Sequence, residues 1–469
     1  MASTHFRMRC LQLPVAVFLL FLLPAQAQVL GMKEAVEQAV QHYGTIRSKQ
    51  DYADAAQARV DLAKRDYLPN VNISGQQVYG TANGQLGPMY GLGGLGVASS
   101  GLPTAEQSWD AAYGALYVAN INWEFFAFGR NRRRIAVAGA EAGQLDRDLG
   151  QEVFAHEVKV ADAYLNLLAG QRLTLSQQRN LERVLAVRDN IVVRARSGML
   201  PGVDSTMADA EVSNARIVLN KYRAEVRVRA NHLAQLMGTT GAAFGLDSTF
   251  LFREPAGIDR IVTTADSAEH PLRRYFRSRI DHSAQLERLY RKDALPAFSL
   301  FGIYQTRASG IGPHYATDPG DLTMDYARGV TPTRANYLLG VGLVWNLTSL
   351  PRTSKRTASQ QLITAGLEEE YKAIDTELRT RDDAANAKLI LALANYREAP
   401  EQVRASNMAY AQQLALYNNG LADLTDVITA QYALNRSETD ADIAAVDLWR
   451  SLLLKAAAVG DFGLFIDQF

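Results

Sequence analysis

Three residue patterns in this sequence have types and spacings that chemistry uses, and each fails on its neighbours. His156-Glu157 opens like the zinc-binding H-E-x-x-H, but Val158-Lys159-Val160 follows and the second histidine is missing. Gly91-Leu92-Gly93-Gly94-Leu95-Gly96 spells G-x-G-x-x-G. No buried strand leads into it and no helical pattern leaves it, so it reads as a flexible loop and not a dinucleotide cradle. Cys10 is the only cysteine. With the seven histidines scattered and no convergent nucleophile, base and oxyanion group, the chain is expected to be no enzyme, with no cofactor and no metal site. One pattern does recur. Gly198, Asp204 and Ala208 reappear as Gly420, Asp426 and Ala430, a G-x5-D-x3-A repeated at an offset of 222. Aspartate there is favoured for a local reason, as a cap on the first turn of a helix.

The ends and the composition narrow the compartment. Arg7 and Arg9, an apolar run from Leu11 to Leu23, and Ala25-Gln26-Ala27 before Gln28 form a secretory signal, residues 1–27, cut after Ala27. Its about 13 apolar residues fall short of the roughly 20 that a spanning helix needs. Cys10 leaves with the signal. A thiol-free chain exported to an oxidising compartment draws its stability from packing or oligomerisation, not from disulfides. The mature chain keeps 47 basic against 49 acidic residues, a net charge of −2, which gives no reason to expect nucleic acid. No later apolar stretch is long enough for a transmembrane helix, so a place in a membrane requires a barrel.

The repeat extends beyond the glycine turns. Lys64-Arg65-Asp66-Tyr67-Leu68-Pro69 recurs as Arg291-Lys292-Asp293-Ala294-Leu295-Pro296, and Trp123-Glu124-Phe125 with Phe128-Gly129-Arg130 recurs as Trp345-Asn346-Leu347 with Leu350-Pro351-Arg352. Two similar halves follow: a first repeat over 28–240, a linker over 241–265, a second repeat over 266–459 and a tail over 460–469. The first half opens with a helix from about Met32 to Tyr67, apolar at Met32, Ala35, Val36, Ala39, Val40, Tyr43 and Ile46. Leu68-Pro69 ends it. The period then changes to two, predicting strands at about 68–80 and 112–126, and in the second half at about 296–306 and 336–348. Val71, Ile73, Tyr117, Ile121, Trp123, Tyr337, Leu339, Val341 and Leu343 fall on apolar faces, and Asn70, Asn72, Asn120, Asn122 and Asn346 on polar ones; Phe301 and Ile303 blur the third strand. Such length, with aromatics toward the ends, fits a membrane barrel strand. Flexible loops, Gly80 to Gln107 and Arg307 to Arg334, join the strands of each half. Helical hairpins over 131–237 and 354–459 complete the halves. Phe154, Val158, Ala161, Leu165 and Leu168 mark a heptad seam on the first long helix.

The opening Leu30, Ala35 and Ala39, the two Leu-Pro strand entries, the strand exit from Trp123 to Arg130 and the twice-repeated G-x5-D-x3-A together carry a resemblance. From about Leu30 to Val459 the chain resembles the TolC-like outer-membrane efflux proteins, the outer membrane factors. The resemblance implies an α+β membrane protein of duplicated halves. Three chains would form a trimeric 12-stranded β-barrel continued by a periplasmic α-helical tunnel in the cell outer membrane. It implies a passive exit duct of a tripartite efflux or type I secretion system, with outer-membrane lipid, a periplasmic adaptor (membrane fusion) protein and an inner-membrane transporter as partners. Tips at Gly198 and Gly420 would dock the adaptor. Asp426, with Asp423 as a second contributor, would form an acidic gate, since carboxylates gathered on one axis raise each other's pKa and attract cations. Tyr417 takes the place of the family's latch tyrosine and Asp204 that of the matching acid of the outer hairpin. This chain departs from the family pattern at Ala422, at Thr429, at Pro351 and at Pro400, which is expected to kink or break the second long helix. The rival reading is an exported coiled-coil adhesin or structural periplasmic protein without a pore. It accounts for the heptads but not for duplicated amphipathic strands.

Overall fold

The computed structural model describes residues 29–84, 102–240, 244–263 and 270–469. The signal segment, the G-x-G-x-x-G stretch and parts of the inter-repeat linker lie outside the described residues. The chain begins with α1 (Met32–His42) and α2 (Gly44–Arg65). The sequence predicts one helix here, but Tyr43 is extended at φ −71°, ψ 118° and divides it. The Tyr43 ring stacks on His156 with centroids 3.8 Å apart, a packing gain that offsets the interrupted helical hydrogen bonds. His156 is fully buried; its Nε2 lies 3.0 Å from the Leu236 carbonyl, and burial holds its pKa below the usual imidazole value.

Four strands form one antiparallel sheet in the order β1 (Asn70–Gly80), β2 (Ala112–Phe126), β3 (Ala297–Ser309), β4 (Arg334–Val344). The central pairing, β2 with β3, joins the two halves of the chain. β4 ends sooner than the alternation predicts. Asn346 does not continue it. Its Oδ1 accepts the Thr348 amide at 3.1 Å and the Thr348 hydroxyl at 2.7 Å, a local turn that competes with the ladder. The loop after β3 is also more structured than its composition suggests, with a short helix, α7 (Tyr326–Val330), capped by the Asp325 side chain. Gly329 lies so close to Tyr113 that a Cβ there would come within 2.5 Å of the tyrosine's own Cβ.

Each strand pair is followed by a long helical hairpin: α3 (Arg130–Arg196) with α4 (Gly202–Leu236), and α8 (Ser349–Asn418) with α9 (Leu424–Val459). The 67 residues of α3 and 70 of α8 reach about 100 Å at about 1.5 Å per residue. The main core lies well away from the tips, where α1, α3, α4, α8 and α9 meet the 3-10 turn Thr249–Phe252, α5 (Ile258–Thr263) and the terminal α10 (Gly463–Ile466). Tyr164 anchors it: fully buried, its hydroxyl donates to the Leu30 carbonyl at 2.7 Å. The remaining helix, α6 (Pro271–Asp293), lies against α3 and α8 and leads into β3.

Of the kink or break expected at Pro400, no break occurs, and α8 runs through the proline. An interior proline forfeits one backbone hydrogen bond. Here side chains just before it tie the helix to the inter-repeat segment: the Tyr396 hydroxyl donates to the Leu251 carbonyl at 3.1 Å, and Arg397 holds Glu254 through two bonds of 2.8 Å. Between α8 and α9 lies a buried ion pair, with Lys455 Nζ 2.7 Å from Asp382 Oδ1.

Candidate functional site

Two regions hold the residues that the sequence singles out: the faces of the sheet and the tip of the hairpins. The register aligns Val71, Ile121, Gly302 and Leu339 across all four strands, with Tyr304 opposite Tyr337 and Leu300 opposite Val341 on the same face. A Cβ on Gly302 would lie 2.9 Å from both Ile121 and Leu339, so these side chains converge over the glycine. The other face carries Asn70 opposite Asn122, Asn72 opposite Asn120 and Gln305 opposite Asn336. Phe301 belongs to this polar face and fills the space that Gly340 leaves, where a Cβ would come within 2.5 Å of its ring. Aromatic rings cluster toward the two ends of the apolar face. Tyr79, Tyr113 and Tyr326 gather at one end, Tyr113 tilted against Tyr79 and edge-on to Tyr326. At the other, the Trp123 indole donates to the Tyr67 carbonyl at 2.8 Å and the Trp345 indole to the Ala294 carbonyl at 3.1 Å, one contact in each half.

Both hairpin tips turn through a left-handed glycine, Gly198 at φ 76° and Gly420 at φ 72°. The turns are alike in their bonds: Met199 donates to the Arg194 carbonyl and Leu421 to the Leu416 carbonyl, each at 2.9 Å, closing a Schellman motif that any side chain at the glycine would strain. The residues after the glycines, Met199 and Leu421, are 64% and 74% exposed. Asp204 lies in the first turn of α4 and Tyr417 in the last turn of α8, and the structure brings them together, the tyrosine hydroxyl donating to Asp204 Oδ2 at 3.3 Å. Tyr417 is buried against Ile191, Leu424 and Val427. Burial pushes its hydroxyl pKa up and the neighbouring Asp204 adds to this, so it remains a donor. Asp423 and Asp426 are exposed and form a reciprocal capping box at the start of α9, Asp426 Oδ2 accepting the Asp423 amide at 3.3 Å. Their local capping role is thus in place within one chain.

The sequence reading missed what binds the two hairpins to each other. Arg194 places its guanidinium 5.9 Å from the Tyr417 ring centroid. Further along, Arg183 grips Glu438 through bonds of 3.0 and 2.6 Å, Asn180 Oδ1 accepts from Gln431 at 3.3 Å, and Arg172 meets Asp442 at 2.8 Å. Burial pushes the Asp442 carboxyl up in pKa against the pull of Arg172. A signal for this seam exists in the sequence. Gln431, Asn435, Glu438 and Asp442 are spaced 4, 3 and 4, a polar stripe at the heptad spacing that elsewhere marks apolar contact. Among the described residues no group of His, Cys, Asp and Glu is gathered as metal ligands, and no helix is long and apolar enough to cross a membrane.

Residues 35–239 match the family model described as outer membrane efflux protein. In fold the chain is similar to the outer membrane protein VceC of Vibrio cholerae, with a TM-score of 0.70 and 14% identity over 92% of this chain and 96% of that one. CusC, described as forming a transmembrane channel, gives a TM-score of 0.72 and 12% identity, covering 92% of each chain. The MtrE outer membrane channel of Neisseria gonorrhoeae, solved in an open state, gives 0.67 and 14%, over 92% of this chain and 89% of that one. Comparison with curated protein sequences gives no match.

Proposed function

We propose that the chain, whose residues 35–239 match the outer membrane efflux protein model and whose fold is similar to solved outer-membrane channels, acts as a TolC-like efflux protein, three copies assembling into the exit duct of a tripartite export system. It is a conduit of the outer membrane and not an enzyme. One observation carries the trimer: a four-stranded amphipathic sheet whose edge strands β1 and β4 have, among the described residues, no partner on their outer sides. Open edges cannot face lipid, and three sheets in a ring leave none. The apolar face then meets lipid and the asparagine face lines water. The girdle spacing supports this orientation. Tyr113 and Trp123 are ten residues apart on β2. That is about 34 Å along a strand and about 26 Å along the membrane normal at a tilt of about 40°, against an apolar band of about 25 Å.

Reconstitution tests the duct. The mature chain is expected to migrate as a heat-modifiable trimer and to conduct ions across a planar bilayer. Because it contains no cysteine after Ala27, introduced cysteines report cleanly. A membrane-impermeant maleimide should label positions 72 and 120 and leave positions 71, 121, 341 and 343 protected. The reverse pattern overturns the orientation, and absence of conductance overturns the duct.

The tip is the proposed meeting point with a periplasmic adaptor, itself coupled to an inner-membrane transporter, and the same tip is the proposed gate. Exposed Met199 and Leu421, held out by the Gly198 and Gly420 turns, offer apolar knobs to an adaptor hairpin. Crosslinkers at Ser197 or Asn419 should trap the adaptor; adducts arising only from loop positions near Tyr326 would count against tip docking. In the trimer Asp426, with Asp423 beside it, forms the acidic constriction, and the Tyr417–Asp204 contact holds the inner hairpin α8–α9 against the outer hairpin α3–α4. Release of that contact is the opening step.

A further inference from the structure

We infer that the end of the sheet nearest the helices is collared by a cationic surface that binds the headgroups of anionic phospholipids in the periplasmic leaflet. This rests on the barrel reading above and adds a lipid partner to it. The charge of the chain is close to balanced overall, but four short segments where strands meet helices depart sharply from that balance. Residues 64–66, 131–134, 288–293 and 352–356 together hold eleven Lys and Arg against two Asp. Lys64, Arg65, Arg132, Arg134, Arg352 and Lys355 are exposed, and Arg65, Arg132, Arg352 and Lys355 form no ion pair within the chain among the described residues. Both halves contribute. The pattern therefore recurs around the ring of three chains.

Position identifies the ligand. Lys64 and Arg65 precede Tyr67, whose carbonyl holds the Trp123 indole, and Arg352 and Lys355 follow Trp345 by seven and ten residues, within the first two turns of α8. Indoles at the rim of an apolar face mark headgroup depth, so cations one or two turns beyond them lie at the level of lipid phosphates. The placement is also electrostatically costly without an anion. Neither α3 nor α8 has an acidic residue in its first turn, and both place arginine or lysine where the helix macrodipole already presents positive charge. Anionic headgroups from outside the chain relieve both the mutual repulsion and the dipole.

Tryptophan quenching by brominated lipids tests this with the whole mature protein. Trp123 and Trp345 sit beside the collar, so each lipid's relative association constant can be read from their fluorescence in vesicles mixing dioleoylphosphatidylcholine with brominated phosphatidylglycerol or brominated phosphatidylcholine. Phosphatidylglycerol is expected to associate at least threefold more strongly, with the preference falling in 0.5 M NaCl. In a variant with Arg132, Arg134, Arg352 and Lys355 all changed to Gln the preference should vanish, while quenching by brominated phosphatidylcholine stays unchanged and shows that the variant is still inserted. Equal quenching by both lipids in the wild-type protein, or a preference that survives in the variant, overturns the collar. Quenching by neither lipid overturns the barrel instead.

Discussion

Trimers carrying Tyr417→Phe are expected to conduct far more at rest than the wild-type protein. The substitution keeps the ring that packs on Ile191, Leu424 and Val427 and removes only the hydroxyl that donates to Asp204 at 3.3 Å. A hydrogen bond to a charged group is worth about 1.5–3 kcal/mol, so the closed state loses roughly tenfold in each subunit even at the lower figure. If three subunits must open together, the combined shift is on the order of a thousandfold. Asp204→Asn should move conductance in the same direction. Asp426→Ala is expected to act on a different quantity, weakening block by multivalent cations, because three carboxylates at the proposed constriction would draw such ions in. Single-channel recording separates these effects. Unchanged resting conductance in Tyr417→Phe and unchanged block in Asp426→Ala would reduce both residues to the capping and packing roles they have within one chain.

The second large effect concerns stability. Asp382→Asn removes the charge of the carboxylate that lies 2.7 Å from the Lys455 ammonium, a side chain at 0% exposure, and so weakens the neutralisation of a buried cation. Breaking a buried pair from one side costs about 3–5 kcal/mol, whereas replacing both partners by apolar groups is often neutral or better. The apparent thermal midpoint of the detergent-solubilised protein should therefore fall by roughly 5 °C or more in Asp382→Asn. The Asp382→Leu, Lys455→Met double variant should recover most of that loss. A double variant no more stable than the single one would mean that the pair shapes the α8–α9 packing in a way that apolar side chains cannot replace.

Much of this architecture was legible because two signals are strong in sequence: a period of two on a sheet with one apolar face, and glycines at the ends of long helices. β2 announces itself through Tyr113, Tyr117, Ile121 and Trp123, with asparagines between them. β3 does not, since Phe301 sits on the polar face in the space vacated by Gly340 on the neighbouring strand. Only the register reveals that compensation. Asn346 misled for a similar reason, because an alternating pattern does not show that a side chain has turned to bond with the backbone two residues on. At Tyr43 and Pro400 tertiary contacts overrode local preference in opposite directions, breaking a periodic helix in one case and holding a proline-bearing one in the other. At the tip, sequence placed Asp204 and Tyr417 on separate hairpins. That they meet, with Arg194 nearby and the Arg183–Glu438 seam behind them, follows from how α3 packs on α9.

The pairing of β2 with β3 joins the two similar halves of the chain inside a single sheet. Each unit brings two strands and one hairpin, so a ring built from free units would need six of them and would treat all six hairpins alike. In the proposed ring, covalent linkage would halve the number of molecules to be assembled and release the two hairpins from that equivalence. The sequence records the divergence three residues before each turn glycine, where Tyr417 in one unit corresponds to Ala195 in the other. Asp204 therefore has a hydroxyl facing it, and Asp426, its counterpart, has been left to cap its own helix. In the proposed trimer, two unlike hairpins per chain would give three staves that stay fixed, alternating with three that can swing.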